Sequence, residues 1–397
     1  MNGTYDLAVI GGGPAGTAAA ITAARAGSRV VLLERGRIPR HKVCGEFVSA
    51  ESISLLRWLL GDTHHSLLAN PLPLSESRLF LDDRRIRVPI APPAISIARY
   101  DLDFALWNAA RDAGAATHQE TAVLGIEGNG PFKIHTSAYD LETRVAINAS
   151  GRWSNVNAPG TAEGARMRST RWLGLKAHFH GSMAPAVELY FFDGGYCGVQ
   201  PVRCGSSAEG NGPGLINVCA LVQPECFGLA GPRAGGAGTR VAIDDVLRRD
   251  SGLAELSRCW KLAWPPLTTF PIVFVKPQPV SRRVFNAGDA CGFVDPFVGD
   301  GISLALRSGR MAASHAVRVA HGECRLDQAL ELYAEEYGRH LRPVFQASSV
   351  LRKLLSVPRR LRAPMVALCQ RSPRLARVLL EATRAPLPDS WKAEIAA

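Results

Sequence analysis

Residues Val284 to Gly309 read VFNAGDACGFVDPFVGDGISLALRSG, and the fold is decided by this stretch. Val284 to Asn286 is a short apolar strand that ends at Gly288 and Asp289. Pro296, Gly299 and Gly301 then make a loop, and Ile302 to Ala316 has helical periodicity. A carboxylate at such a strand end can bind a polyol. Glycines so close to a helix start present backbone N–H groups to a planar ligand, and the positive helix end favours its anionic, reduced form. A partly buried helix terminus contributes up to about 2 kcal/mol, roughly 40 mV for a two-electron couple, which tunes a redox group without setting its chemistry.

The complement lies at the N-terminus. Tyr5 to Ile10 is an apolar strand that runs into GGGPAG and then into Thr17 to Ala26, rich in helix formers. Gly11 permits the tight turn, Gly13 lets backbone approach a pyrophosphate, and Gly16 lets the helix pack on the strand, with Pro14 and Ala15 between them. A second strand, Ser28 to Leu33, ends in Glu34, at the distance where a carboxylate reaches an adenosine ribose hydroxyl. Strand, glycine turn, helix and acid in this order predict a dinucleotide. The polyol and planar-ligand signals of the late stretch make it FAD rather than NAD.

With these motifs, and with HKVCGEF at His41 to Phe47 and ARYDLDFALWNAARDAGA at Ala98 to Ala115, the chain resembles the flavoprotein hydroxylase superfold. The likeness is strongest to its geranylgeranyl reductase branch and covers nearly the whole chain. By position, the resemblance implies that Gly11, Gly13, Gly16, Glu34 and Arg35 hold the ADP half of FAD. It implies further that Arg99 lies near the pyrophosphate, Val123 touches adenine through its backbone, and Asp289 binds the ribityl chain. Pro296 to Gly301 line the isoalloxazine. One position departs: related hydroxylases carry an Asp-Gly pair, implicated in FAD and NAD(P)H binding, where this chain reads INASGRWS, with Ser150 in place of the acid. That leaves open whether NADPH or NADH is the electron donor.

The predicted fold class is α/β: a Rossmann-type FAD-binding domain, a second antiparallel-sheet substrate domain and a helical C-terminal tail. The FAD-binding domain is expected as residues 1–75, 98–166 and 281–325, and the substrate domain as a hairpin at 76–97 with 167–280, before a basic helical region at 326–397. Arg78 to Val88 alternates around Asp82 and Asp83 as a hairpin, Pro89 to Pro93 returns the chain, and a helix follows over Asp101 to Ala113. Short strands are expected near Ala122 to Ile126, Lys133 to Thr136 and Arg144 to Asn148. In the substrate domain they fall at Trp172 to Phe179, Ala186 to Phe192, Tyr196 to Val202 and Leu215 to Leu221. The Gly-rich stretches Ser206 to Gly214 and Gly231 to Gly238 read as mobile linkers.

At 397 residues, 47% of them apolar, the chain can bury a large core. No window of about eighteen uncharged apolar residues suits a membrane span. Nine cysteines without a C-x-x-C pair make no disulfide framework, so a reducing cytoplasm is expected, with membrane association left open. The net charge of +11 is concentrated between Arg339 and Arg384, where Glu381 is the single acid. Such basic amphipathic helices suit an anionic membrane surface or an acidic carrier protein, or form a packed cap whose arginines face water. Nucleic acid is not expected, because no aromatic stacking platform accompanies the charge.

Cys44 is the sharpest catalytic candidate: near Lys42 and His41 its thiol could be acidified to give or take a proton, or it could simply pack against the ring. His178 and His180, two apart in a strand, share a face that could open into a substrate cavity, and no metal site is expected. Three FAD chemistries follow for a small lipophilic or aromatic substrate. Reduced flavin N5 gives hydride to a carbon–carbon double bond of an isoprenoid-like or polyene substrate, the reaction the resemblance favours. A C4a-hydroperoxide monooxygenase is the alternative. A halogenase is less favoured because no W-x-W-x-I-P motif is present, and a non-catalytic flavin-binding protein stands behind all three.

Overall fold

The computed structural model describes residues 4–152, 171–203, 214–228, 242–384 and 387–396. The two Gly-rich stretches at 206–214 and 231–238 lie almost wholly outside the described residues. Strand β1 (Tyr5–Ile10) leads through the glycine turn into helix α1 (Pro14–Arg25), and β2 (Val30–Leu33) returns parallel to β1. After β3 (Phe47–Val48) and α2 (Ile53–His64) come the long strands β4 (Leu72–Leu81) and β5 (Arg84–Ser96), then α3 (Arg99–Asp112). Short strands follow as β6 (Ala116–His118), β7 (Val123–Gly128), β8 (Phe132–Thr136) and β9 (Asp140–Asn148). Strands β10 (Trp172–His180), β11 (Val187–Phe192), β12 (Gly195–Val202) and β13 (Leu215–Val222) precede two short helices, α4 (Ile243–Leu247) and α5 (Ser251–Ser257). Next are β14 (Lys261–Leu262), β15 (Leu267–Ile272), β16 (Val280–Ser281) and β17 (Val284–Asn286). Helices α6 (Gly301–Ala320), α7 (Leu326–His340), α8 (Arg342–Leu355), α9 (Arg359–Arg371), α10 (Pro373–Glu381) and α11 (Asp389–Ala396) complete the chain.

Two sheets result. The first has the order β16-β17-β9-β1-β2-β6, with the β7–β8 hairpin added beside β9. Its central strands are parallel and apolar, and β2 is buried at every position, as expected where helices cover both faces. The second has the order β14-β10-β13-β12-β11-β4-β5-β3 and is antiparallel apart from the β4–β11 pair. Helices α4 and α5 cover one part of it through Ile243, Val246 and Leu253.

Local chemistry explains where the chain turns. Asp82 and Asp83 both take left-handed φ, 55° and 60°, the two-residue hairpin turn that matches strand twist. Alternation in the sequence predicts a second hairpin strand that ends at Val88, whereas β5 continues through Pro89 to Ser96. The prolines sit where the β4–β5 register shifts, between Leu74 and Glu76, so the ladder does not need their missing N–H groups.

The two cofactor fingerprints, nearly 300 residues apart in sequence, touch through glycines. A Cβ on Gly16 would lie 1.7 Å from the Gly11 carbonyl oxygen, so no side chain fits between α1 and the turn. One on Gly309 in α6 would lie 2.0 Å from the Ala15 oxygen. Helix α6 therefore packs directly on the first turn of α1 and carries the late loop to the crevice above β1.

Candidate functional site

The crevice opens at the carboxyl ends of β1, β2 and β9, the usual ligand position in such sheets. Gly11, Gly13, Pro14 and Ala15 line it, with Glu34, Arg35 and Val123 on one side. A Cβ on Gly13 would meet only Lys42 Nζ, at 3.9 Å, so backbone N–H groups at the helix start are open to a phosphate. Gly16 is buried beneath the turn and touches nothing that would enter the crevice.

Glu34 holds the turn together. Its Oε2 accepts from Gly12 N–H at 2.8 Å, and its Oε1 accepts from Gly36 N–H at 2.9 Å and from Arg40 at 2.8 Å. Burial opposes its charge, but Arg40 and Lys42 keep the carboxyl below its ordinary value. Oε2 retains one lone pair for a ribose hydroxyl.

At the other end, Gly288, Asp289, Pro296, Gly299 and Gly301 line the same cavity. Burial raises the Asp289 carboxyl, against the pull of Arg152, which stands 3.8 Å away. Nothing lies within 4 Å of a Cβ built on Gly301, at the start of α6. An acceptor at the strand end, an open helix start and an open glycine turn fit the polyol, ring and pyrophosphate of FAD in that order. Ser150 lines the same cavity, but its hydroxyl is already engaged: it donates to Asn148 Oδ1 at 2.6 Å, and Asn148 donates to Asn286 Oδ1 at 2.9 Å, tying β9 to β17.

Between the two ends stands Arg99, bidentate to Asp103 at 2.7 and 2.8 Å. Burial works against its charge, and the Asp103 carboxylate more than offsets it, so the guanidinium sits above its ordinary value. It also reaches the Cys44 thiol. Cys44 thus has a cationic neighbour, but not the expected ones. Lys42 is drawn to Asp103 at 3.0 Å, and His41 packs in tilted contacts against Trp264 and Tyr100, with ring centroids 4.9 and 5.0 Å away. Burial, followed by His178 and Lys176, lowers the His41 imidazole, so it is a poor source of positive charge.

An ionic cluster that no local sequence signal near Cys44 announces lies beneath it. Glu46 is fully buried, pairs with Lys176 and bonds His178 Nε2 at 2.8 Å, while Arg99 N–H donates to it at 2.8 Å. Burial would raise this carboxyl, but Lys176 and His178 overcome it and hold it at about 2. Glu46 itself takes φ 60°, a left-handed conformation that a glutamate adopts only under constraint. Asn217 donates to the carbonyls of Cys44 and Gly45 at 3.2 and 2.8 Å, and Gln200 donates to that of Glu46 at 3.1 Å. The second sheet therefore grips the whole KVCGE loop. Of the two candidate histidines, His178 enters this cluster rather than an open cavity, and His180, at the strand end, is exposed. One signal was available: Lys176 and His178 alternate inside an otherwise apolar strand.

The cavity does not stop at the crevice. It measures about 660 Å³ and extends between the β4–β5 hairpin and the C-terminal helices, where Leu79, Leu81, Ile86, Val88, Leu355 and Val366 line it. The helices are pinned by arginines of the basic run. Arg362 and Arg359 bond Asp82 and Asp83 at the hairpin tip, at 2.6 and 2.7 Å. Arg352 stands 3.7 Å from Asp295 and Arg384 3.3 Å from Asp300, so both carboxylates that flank the late loop are paired from the C-terminal region. Burial pushes Asp295 up to about 6, with Arg352 opposing, and it likewise raises Asp300.

A model of the FAD dependent oxidoreductase family matches residues 6–39. A chloroplastic geranylgeranyl diphosphate reductase of Oryza sativa subsp. japonica is 26% identical over 91% of this chain and 78% of its own. A menaquinone reductase of Mycolicibacterium smegmatis is 26% identical over 90% and 86%. A solved geranylgeranyl bacteriochlorophyll reductase-like protein of Thermoplasma acidophilum superposes with a TM-score of 0.73 at 20% identity, covering 99% of both chains. The chain is an FAD-dependent oxidoreductase, similar over most of its length to geranylgeranyl reductases. Solved flavin-dependent halogenases share the oxidoreductase's fold at 17 to 20% identity, a likeness of fold alone. No helix among its described residues is long and apolar enough to cross a membrane.

Proposed function

We propose that this oxidoreductase reduces a carbon–carbon double bond of a lipophilic substrate, isoprenoid-like or polyene in character. The observation that carries the reading is the apolar arm of the cavity, which starts beside Cys44 and Asp289 and runs between Val88 and Val366. An elongated hydrocarbon fits such an arm, and little there would bind a polar ring. The similar proteins of Oryza sativa and Mycolicibacterium smegmatis, both reductases, support the same direction.

In this assignment Gly11, Gly13, Pro14, Ala15, Glu34 and Arg35 hold the ADP half, with Gly16 packing beneath the turn, Val123 meets adenine, Gly288 and Asp289 meet the ribityl chain, and Pro296, Gly299 and Gly301 meet the ring. Bound FAD, once reduced by NADPH or NADH, supplies hydride from N5. This chain's residues supply the rest. The arm aligns the double bond and excludes water, the Cys44 thiol gives the proton that completes the addition of two hydrogens, and Arg99 stabilises the thiolate left behind.

The test is to reduce the purified holoenzyme without oxygen, add polyprenyl, quinone and polyene lipids, and weigh the products. A gain of two hydrogens is expected. Failure across all three classes defeats the reading, and a gain of one oxygen once air is admitted favours hydroxylation. Cys44→Ser should keep FAD and lose turnover; unchanged turnover returns Cys44 to packing.

A further inference from the structure

Helix α9 has two apolar faces. The inner one, with Met365, Val366 and Cys369, roofs the cavity and packs on Leu81, Ile86 and Val88 of the hairpin. The outer one carries Leu361 and Leu368, two turns apart and 72% and 55% exposed, with Pro364 between them. Arg360, Arg371 and, just into α10, Arg374 surround that face and are exposed. Among the described residues, four of the eight exposed large apolar side chains, Val350, Leu361, Leu368 and Val378, fall between residues 350 and 378. The arginines that anchor α9 are different ones, Arg359 and Arg362, paired to Asp83 and Asp82.

From this division of labour we infer that the outer face of α9, with α10, docks on an anionic lipid bilayer. Leucines projecting from a convex helix surface fit the acyl boundary of a leaflet, and the flanking arginines meet its headgroups. The charge is one-sided: Glu381 is the single acid from Arg339 to Arg384, and it is occupied by Arg377 at 2.6 Å. The helix that touches the leaflet is the helix that roofs the apolar arm, so a lipid substrate leaves the bilayer and enters the cavity beneath one element. The inference takes its purpose from the lipophilic substrate proposed above, but the docking itself needs no turnover.

Sedimentation of the flavin-loaded protein with phosphatidylcholine vesicles, with and without phosphatidylglycerol, tests it. Binding is expected only to the anionic vesicles and should weaken with salt. Arg360→Gln and Arg371→Gln should each lower partition about fivefold, the ~1 kcal/mol a cation near such a surface contributes. Leu361→Asp with Leu368→Asp should lower it roughly tenfold or more, from the loss of two buried leucines. The flavin spectrum of each variant verifies that it is folded. Wild-type protein that stays in the supernatant at low salt overturns the inference. So does binding that ignores both leucines and is matched by soluble polyglutamate, the behaviour of a site for an acidic protein. Because no substrate is present, either result leaves the reductase reading to its own assay.

Discussion

Glu46→Gln removes one charge from the centre of the molecule and almost nothing else. The amide keeps the shape of the carboxylate and an acceptor for Arg99 N–H or for His178, but Lys176, which is 1% exposed, loses its counterion. Leaving one member of a buried pair uncompensated costs about 3–5 kcal/mol. A second route gives the same size. The fold holds this carboxyl at about 2 against an ordinary 4.5, a difference worth roughly 3 kcal/mol at 1.36 kcal/mol per decade. Because the folded value is the lower one, the contribution is fully present above about pH 4.5 and is lost as pH falls towards about 2. Urea unfolding of wild type, Glu46→Gln, Lys176→Met and the double variant, followed by circular dichroism, measures it. The single Glu46 variant should lose about 3–5 kcal/mol, and the double variant should recover most of that. A loss below about 1 kcal/mol, or a double variant as weak as the sum of the singles, would refute the reasoning that Glu46 exists to neutralise Lys176.

Three further outcomes are expected. Gly16→Ala forces a methyl to within 1.7 Å of the Gly11 oxygen, so the turn must open and the protein should purify without yellow colour; an unaltered visible spectrum counts against the turn geometry. Asp295→Asn should stabilise the protein at pH 7.5 by up to about 3 kcal/mol and do little at pH 4. Its folded value near 6 lies above the ordinary 3.8, so ionisation costs stability as pH rises between them, and a thermal midpoint shift equal at both pH values would contradict this. Val366→Trp fills the apolar arm without touching the crevice. It should raise KM for long substrates and leave the flavin spectrum unchanged, and unchanged kinetics would place the substrate elsewhere.

Local order was legible because local chemistry dictates it. Apolar runs such as Val30–Leu33 and Leu215–Val222 became buried strands, and the glycine turn and late loop came out as strand, turn and helix start. What escaped was long-range. Nothing near Glu46 in sequence announces that a lysine and a histidine 130 and 132 residues later will neutralise it. The basic run is similar: its composition left open a packed cap or a docking face, and only the distant partners Asp82, Asp83, Asp295 and Asp300 show which arginines serve packing. His178 and His180 share a strand face as alternation requires, but the core ends between them, and a sheet boundary is a tertiary property.

The order in which the strands join has a consequence for synthesis. Strand β4 needs β11, about 110 residues later, and the outer side of β9 is closed by β17, which leaves the ribosome last of all the strands. Neither sheet is complete in a nascent chain that ends before Leu267, and the first sheet still lacks β16 and β17 in one that ends before Val280. Such a chain carries exposed edges and an unfinished crevice, so coenzyme capture must wait until the late loop, through Gly301, has emerged. Cutting the molecule at any seam between its sheets should therefore give fragments that aggregate rather than half-enzymes that can be recombined.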